Sequence, residues 1–285
     1  QIEIIGPPVI DAGIPVSICS GDAGVLGVLG NPAYNYAWSP IIGLDDPTSA
    51  TANVTLTNFT SDHLTTLYYL TASDQGCVST DSVEVTVFAT PTAQFSVPDG
   101  ECFKTNSFDL TALGFFGPTA SFDWDFGVDG FPSNSDDANP NGVIFNTFGN
   151  QSVTLIVTEN ECVSAPYMAS IEVYPMPDAN FISEDLEGCQ PYAAKFRNIS
   201  IGHGSFLYES WDFGDDETAS QHDPTHTYME DGAFTVNLLV TSAEGCKDSI
   251  SFSNYVQVHP KPDAFFAASP KLMTVLDPTT HVESK

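Results

Sequence analysis

The residues best suited to chemistry in this sequence are four aspartates near residue 215. They lie in or just after the segment Trp-Asp-Phe-Gly-Asp-Asp at 211–216, and they are Asp212, Asp215, Asp216 and Asp223. Carboxylate oxygens are ligands that Ca²⁺ prefers, but they also accept backbone N–H groups in turns. The spacing is not that of an EF-hand loop, and adjacent strand residues point to opposite faces. We therefore expect turn-forming acids and no cofactor, with calcium as the alternative. A second set, open to the same two interpretations, comprises Asp123, Asp125, Asp129, Asp136 and Asp137.

Two histidines lie close to the first set of acids. His222 and His226 are four residues apart, on a predicted loop rather than a helix. We expect His226 to bond to the loop as a structural residue rather than to bind a metal. The sequence contains no Gly-x-Ser-x-Gly elbow, no His-Glu-x-x-His and no phosphate-binding glycine loop. We predict a protein that is not an enzyme and has no catalytic residues.

The six cysteines repeat with a regular spacing. They fall as Cys19/Cys77, Cys102/Cys162 and Cys189/Cys246, with gaps of 58, 60 and 57 residues, and the pairs bracket Trp38, Trp124 and Trp211 respectively. This spacing is typical of a β-sandwich whose sheets are joined by a disulfide with a tryptophan packed on it. We predict one such bond within each pair. Reduced buried thiols are the alternative, and a zinc site is disfavoured because no Cys-x-x-Cys or Cys/His cluster occurs.

A second repeat marks the joints between modules. The pattern Pro-x-Ala-x-Phe occurs at 91–95, 177–181 and 262–266, each time after an alternating strand. Proline cannot donate to a strand ladder, so the last strand of a module must end at each joint. A fixed period with similar strands indicates an array of modules. We predict modules at 1–89, 90–174 and 175–259, and the start of a truncated further module at 260–285.

Composition supports the same fold class and excludes several partners. Alternating segments rich in Thr, Val and aromatic residues fill each module, and no segment has a helical period, so the class is all-β. The formal net charge is −30, from 7 basic and 37 acidic residues. This charge disfavours nucleic acid and anionic lipid as partners. Because no apolar run reaches about 18 residues, we also expect no membrane insertion.

Three segments of the third module carry a family resemblance: 211–215, 223–228 (Asp-Pro-Thr-His-Thr-Tyr) and 232–236 (Gly-Ala-Phe-Thr-Val). With these segments in this order, the module resembles a PKD (polycystic kidney disease) domain. The second module is similar but divergent, since it keeps Trp-Asp-Phe-Gly at 124–127 and lacks the His-x-Tyr segment. The first module resembles the Ig-like repeats of large secreted Bacteroidota proteins. Its matching segments are 11–13, 18–19, 38–40, 43–44, 46–47 and 76–83.

These resemblances imply an elongated array of tandem Ig-like and PKD β-sandwiches, with Trp38, Trp124, Trp211, His226 and Tyr228 as structural residues. They imply a secreted, cell-surface stalk or adhesive rod, carried by type IX secretion and active in gliding motility or attachment. Its partners would be the secretion machinery or other outer-membrane surface proteins, with an extracellular polysaccharide or protein as ligand. The alternative is an accessory region of a secreted hydrolase that assists substrate binding.

The tail gives one further expectation. Residues 262–285 begin a repeat in phase with the earlier joints, but one or two strands cannot close a sandwich. We expect the natural protein to continue with another module. In this chain the tail's apolar residues should be poorly ordered or packed on a neighbour, and they are Phe265, Phe266, Leu272, Val275 and Leu276.

Overall fold

The computed structural model describes residues 6–269 and 281–284, and it consists of three β-sandwiches in tandem. Each sandwich has its own apolar core, drawn from residues 12–87, 95–173 and 179–258. The predicted all-β class is therefore confirmed; a single 3-10 turn (Phe103–Thr105) is the only helical element among the described residues. The chain divides into two compact units, Gln1–Val173 and Tyr174–Lys285. In the described part of the chain, no helix is long and apolar enough to cross a membrane.

The first sandwich pairs a four-stranded sheet, in the order β1-β6-β5-β3, with the two-stranded ladder β2-β4. Alternate residues of its long hairpin point inward, as the period of two in the sequence requires. Its strands are β1 (Val16–Cys19), β2 (Ala23–Leu26), β3 (Asn35–Ser39), β4 (Ala52–Thr55), β5 (Leu64–Asp74) and β6 (Cys77–Phe88).

The second sandwich is built around the ladder β12-β10-β14-β16-β8, with β15 attached to β14 and two short ladders, β7-β9 and β11-β13. Its strands are β7 (Thr92–Phe95), β8 (Glu101–Cys102), β9 (Ala112–Phe115), β10 (Ser121–Asp125), β11 (Gly130–Phe131), β12 (Asn134–Ser135), β13 (Ile144–Phe145), β14 (Gly149–Glu159), β15 (Cys162–Val163) and β16 (Tyr167–Tyr174).

The third sandwich packs a five-stranded sheet, β18-β24-β23-β20-β21, on the three-stranded sheet β17-β19-β22. Its strands are β17 (Phe181–Ser183), β18 (Glu187–Cys189), β19 (Tyr192–Asn198), β20 (Leu207–Asp212), β21 (Thr218–Ala219), β22 (Thr225–Tyr228), β23 (Gly232–Ser242) and β24 (Lys247–His259).

The described residues of the tail form an antiparallel pair, β25 (Phe266–Ser269) with β26 (His281–Ser284). Phe265, just before it, is exposed. Leu272, Val275 and Leu276, named in the expectation about the tail, lie outside the described residues.

The three tryptophans occupy the same place in each sandwich. Trp38, Trp124 and Trp211 are buried on β3, β10 and β20. In each case the indole N–H donates to a backbone carbonyl 10 to 13 residues further on, at 2.9–3.0 Å. A buried indole needs such an acceptor, so this bond connects the tryptophan strand to the segment that follows it.

The disulfide prediction is wrong in its pairing. Cys19 is bonded to Cys162, with the Cα atoms 5.6 Å apart and a sequence separation of 143. The bond joins the first sandwich to the second, so neither Cys19–Cys77 nor Cys102–Cys162 forms. Cys189 is exposed and carries a free thiol in the described structure, so the predicted Cys189–Cys246 bond is absent too.

Strand register explains the error. β1 runs parallel to β6 with Cys19 opposite Phe88, the last residue of β6, whereas Cys77 is its first residue. Those 12 residues place the two ends about 36 Å apart at a rise of about 3.3 Å per residue. Cysteines more than about 7 Å apart at Cα cannot be bridged. The third sandwich has the same arrangement, because Cys189 lies opposite His259 at the far end of β24 from Cys246.

Candidate functional site

The acidic loop of the third sandwich, residues 212–216, is held by hydrogen bonds between its own aspartates and neighbouring residues. Asp212, the last residue of β20, accepts the Gly214 N–H at 2.9 Å through Oδ1 and the Asn237 amide at 3.1 Å through Oδ2. Gly214 has a φ of +82°, and a Cβ there would lie 2.4 Å from the Thr235 carbonyl oxygen. Glycine is thus required for the chain to turn between Asp212 and Asp215.

Asp215 is bound to His226, on the neighbouring strand β22. Its Oδ2 lies 2.7 Å from His226 Nε2, and both side chains are largely buried. The imidazole stacks on Phe213, with ring centroids 4.1 Å apart and planes 3° from parallel, and meets the edge of Tyr228 at 4.5 Å. The Trp-Asp-Phe-Gly-Asp and His-x-Tyr segments therefore form one structural unit.

Tyr228 connects this unit to the backbone of the Trp-Asp-Phe-Gly-Asp segment. Its hydroxyl donates to the Phe213 carbonyl at 3.2 Å, and the side chain is completely buried. Burial raises the pKa of Tyr228, and the carboxylates of Asp215 and Asp212 raise it further. The hydroxyl therefore remains a neutral donor, which is what the bond to Phe213 needs.

The other two candidate ligands, Asp223 and Asp216, belong to the backbone structure around the loop. Asp223 accepts the Asn198 N–H at 2.8 Å, which fixes β19 beside the loop. Asp216 has a φ of +68°, in the left-handed region of the turn. His222 has a different partner from His226: its Nδ1 lies 2.9 Å from Glu209 Oε1.

The described residues contain no group of three or more His, Cys, Asp or Glu side chains placed to hold a metal ion. The structure does not bring Asp212, Asp215, Asp216 and Asp223 together around a common point. In the second sandwich, Asp125 likewise accepts the Gly127 N–H at 2.8 Å. In the first sandwich, the loop residue Asp45 also accepts hydrogen bonds, from N–H groups of Asn53 and Asp46. Asp45 was not among the candidates predicted from the sequence. These bonds, chiefly that from the Asn53 side chain, lower the pKa of Asp45.

We therefore expect calcium to leave the thermal stability of this protein unchanged. Differential scanning calorimetry of chelator-treated chain, with and without added calcium, checks this. A rise of several degrees that disappears in the variant Asp215→Asn/Asp216→Asn would show that the loop binds the ion.

The third sandwich also carries a pair of exposed aromatic residues that no sequence pattern pointed to. Phe206 and Tyr208 are 69% and 60% exposed, and their rings meet edge to face at 5.2 Å. Tyr208 points outward from β20, opposite Thr241 on β23. Leu239, also exposed, is its diagonal neighbour on the same face. Once β20 is assigned, the outward position of Tyr208 follows from its offset of three residues from the buried Trp211.

Comparison with known proteins identifies one of the three sandwiches. Residues 174–258 match the PKD domain family. The third sandwich is a PKD domain. A 48-residue stretch of the chain is also 44% identical to a microbial collagenase of Vibrio alginolyticus. That stretch is 17% of this chain, and it spans 6% of the length of that relative.

The arrangement of sandwiches in tandem is shared with Ig-domain chains. A three-domain fragment of titin, I67–I69, aligns over 91% of this chain and 100% of its own length, with a TM-score of 0.52 and 12% identity. An E-to-A variant of the same fragment gives the same coverage and TM-score with 13% identity. At this identity the likeness shows the fold alone: Ig-like and PKD sandwiches follow one another along the chain.

The PKD domain and the disulfide also indicate where the protein works. The Cys19–Cys162 bond requires an oxidising environment. Together with the PKD domain, the bond indicates an extracellular protein.

Proposed function

We propose that this chain is a non-catalytic, substrate-binding region of an extracellular hydrolase. The PKD domain and the stretch similar to a microbial collagenase support an accessory role beside a catalytic domain. Its ligand is an insoluble protein or polysaccharide. The proposal assigns no reaction to these residues and makes neither nucleic acid nor a membrane a partner, in keeping with the net charge of −30.

The observation that carries the proposal is the outward-facing aromatic pair of the PKD domain. Phe206 and Tyr208 leave most of their apolar surface in water, which does nothing for the stability of the domain. Aromatic side chains that are rigid and exposed supply large contact areas at interfaces. Leu239 beside them extends this surface, which we call the aromatic face (Phe206, Tyr208 and Leu239).

The negative net charge of the chain disfavours anionic ligands. A chain with a net charge of −30 repels anionic polymers through its long-range field. The aromatic face is thus suited to an uncharged polysaccharide or to a protein fibre such as collagen. An acidic polysaccharide is a poor match.

Co-sedimentation of the whole chain with fibrillar collagen, and separately with cellulose or chitin, tests the proposal. We expect the variant Phe206→Ala/Tyr208→Ala to bind at least about tenfold more weakly, since an aromatic contact contributes about 0.5–1.5 kcal/mol beyond its area burial and tenfold corresponds to about 1.4 kcal/mol.

The matched control is Phe59→Ala, which removes an aromatic side chain that is 88% exposed in the first sandwich. This variant should bind as the unchanged chain does. Equal binding by the double variant, or no retention of the unchanged chain on any of these solids, would contradict the proposal. Circular dichroism of both variants ensures that the comparison is between folded proteins.

A stalk or adhesive rod on a cell surface is the second candidate function. The Cys19–Cys162 bond favours it, because it restrains the first two sandwiches relative to each other, as a spacer under tension needs. In its finer form the protein would be type IX secretion cargo active in gliding motility, contacting the secretion machinery or other outer-membrane surface proteins. The complete reading frame separates the two: a catalytic domain supports the accessory role, and a C-terminal sorting domain supports the stalk.

A further inference from the structure

The end of the first sandwich that carries Cys19 is a docking surface for a hairpin. The hairpin belongs to the second sandwich and joins β14 to β15, with Glu159 paired to Cys162. Its two turn residues, Asn160 and Glu161, have φ values of +50° and +67°, as in the tight turns typical of two-residue hairpins. Both line a cavity of about 510 Å³ with residues of the first sandwich, including Cys19 and Phe88. The cysteine directly after the turn forms the bond.

The PKD domain repeats the receiving half of this interface. β18 runs parallel to β24 and ends at Cys189, opposite His259, just as β1 runs parallel to β6 and ends at Cys19, opposite Phe88. In each sandwich, the residue after the cysteine donates its N–H to the carbonyl of the residue opposite that cysteine. Gln190 donates to His259 at 3.0 Å, and Ser20 donates to Phe88 at 2.8 Å. Cys189 therefore has the position and the backbone surroundings of Cys19, and its thiol is exposed.

The presenting half of the interface is repeated as well. In the first sandwich, Cys77 pairs with Asp74 across a tight turn whose residues, Gln75 and Gly76, have φ values of +44° and +90°. A cysteine directly after a two-residue turn is thus common to the first two sandwiches, where the turn follows β5 and β14 respectively. Modules of this kind present a cysteine at one end and receive one at the other.

A buried acceptor next to Cys189 is also without a donor. The Oε1 atom of Gln190 accepts no hydrogen bond from any described residue, although it is almost completely buried. The equivalent side chain in the first sandwich is satisfied, since Ser20 Oγ accepts the Asn58 N–H at 2.8 Å. A buried acceptor left unpaired costs about 1–3 kcal/mol, and a segment docked at this end of the domain is one source of the missing donor.

We propose that the Cys189 end of the PKD domain binds the hairpin of a further β-sandwich module and forms a disulfide with the cysteine of that hairpin. The bond forms by thiol–disulfide exchange. The Cys189 thiolate attacks the hairpin cysteine while that cysteine is held in a mixed disulfide with a small thiol, such as glutathione. The new S–S bond replaces the old one, and the small thiol leaves as a thiolate that takes up the proton lost by Cys189. This proposal does not depend on whether the chain works beside a hydrolase.

The test uses the whole chain and a synthetic hairpin. The probe is a cyclised peptide of residues 153–168, with Cys162 activated as a mixed disulfide with nitrothiobenzoate; cyclisation is needed because an isolated hairpin is marginally stable. Release of nitrothiobenzoate reports the exchange rate. We expect the hairpin to react at least about tenfold faster than a cyclised peptide of scrambled sequence, with the adduct at Cys189 by peptide mass spectrometry.

Two variants separate docking from simple thiol reactivity. Cys189→Ser should abolish the adduct, and Gln190→Ala, which keeps the thiol, should reduce the preference for the hairpin over the scrambled peptide. Equal rates for the two peptides, or an adduct at another residue, would overturn the proposal. Non-reducing peptide mapping of the natural secreted protein provides the second measurement. A bond from Cys189 to the hairpin cysteine of another sandwich supports the proposal, and a free Cys189 or a Cys189–Cys246 bond contradicts it.

Discussion

The variant Cys19→Ser/Cys162→Ser should lose much of the thermal stability of the first compact unit and expose the joint between its two sandwiches. The bond closes a loop of 143 residues, and chain entropy alone assigns a loop of this length about 5 kcal/mol. This is an upper limit, since the two sandwiches can unfold one at a time. Replacing both cysteines avoids an unpaired thiol. Calorimetry measures the loss, and limited proteolysis should show faster cleavage around Pro91, which is buried in the joint.

The matched control for this experiment is Cys189→Ser. It removes a cysteine from the equivalent strand position of the PKD domain, where the thiol is free in the described structure, so it should leave the unfolding temperature unchanged. If the double variant unfolds at the same temperature as the unchanged chain and resists protease equally, the bond does not hold the sandwiches together.

The cysteine spacing shows how far sequence reasoning reaches here. Gaps of 57 to 60 residues correctly indicate a repeated module, but they do not specify which cysteines meet. In a tandem repeat, a bond within one module and a bond from one module to the next produce the same spacing. The choice depends on strand register, because a first strand parallel to the last strand puts Cys19 and Cys77 at opposite ends of the sandwich. Parallel pairing between distant strands leaves no local signal in the sequence.

The all-β class and the buried positions could be predicted from the sequence more directly than the disulfide pairing. The alternation of Trp211 and Phe213 with Asp212 and Gly214 predicts an inward and an outward face, and the structure buries Trp211 and Phe213. The fit of His226 between Asp215, Phe213 and Tyr228 could not be derived in the same way. It depends on how β22 packs beside the loop after β20, which is a tertiary contact.

The aromatic face was missed for a related reason. An aromatic residue in or next to a strand is more often part of a core than of a surface, and Tyr68 and Phe126 are indeed buried. Tyr208 differs only by lying on the outer face of β20, near its start, and Phe206 is the residue just before that strand. Their exposure follows from the phase of one short strand, so an error of a single residue in that phase reverses the conclusion.

The largest expected effect of a single substitution is that of Trp211→Ala, which should unfold the PKD domain under conditions where the unchanged chain is folded. The side chain is fully buried and touches Phe181, Phe196 and Phe213, with ring centroids 5.0, 5.7 and 6.4 Å away. Truncating a buried tryptophan costs about 3–5 kcal/mol, a large part of a total stability of about 5–15 kcal/mol. Loss of the indole N–H also leaves the Gln221 carbonyl without its donor.

Two comparison variants separate the parts of this effect. Trp211→Phe keeps an aromatic ring in the core but removes the indole N–H, so it should cost less, about 1–3 kcal/mol from the unsatisfied acceptor and the smaller ring. Phe206→Ala removes an aromatic side chain that lies just before the same strand and is 69% exposed. This variant should leave the stability of the domain nearly unchanged. Calorimetry, with hydrogen exchange resolved over residues 174–258, gives the loss in the PKD domain. Nearly equal stabilities for Trp211→Ala and Phe206→Ala would mean that the tryptophan is not what holds the two sheets of this domain together.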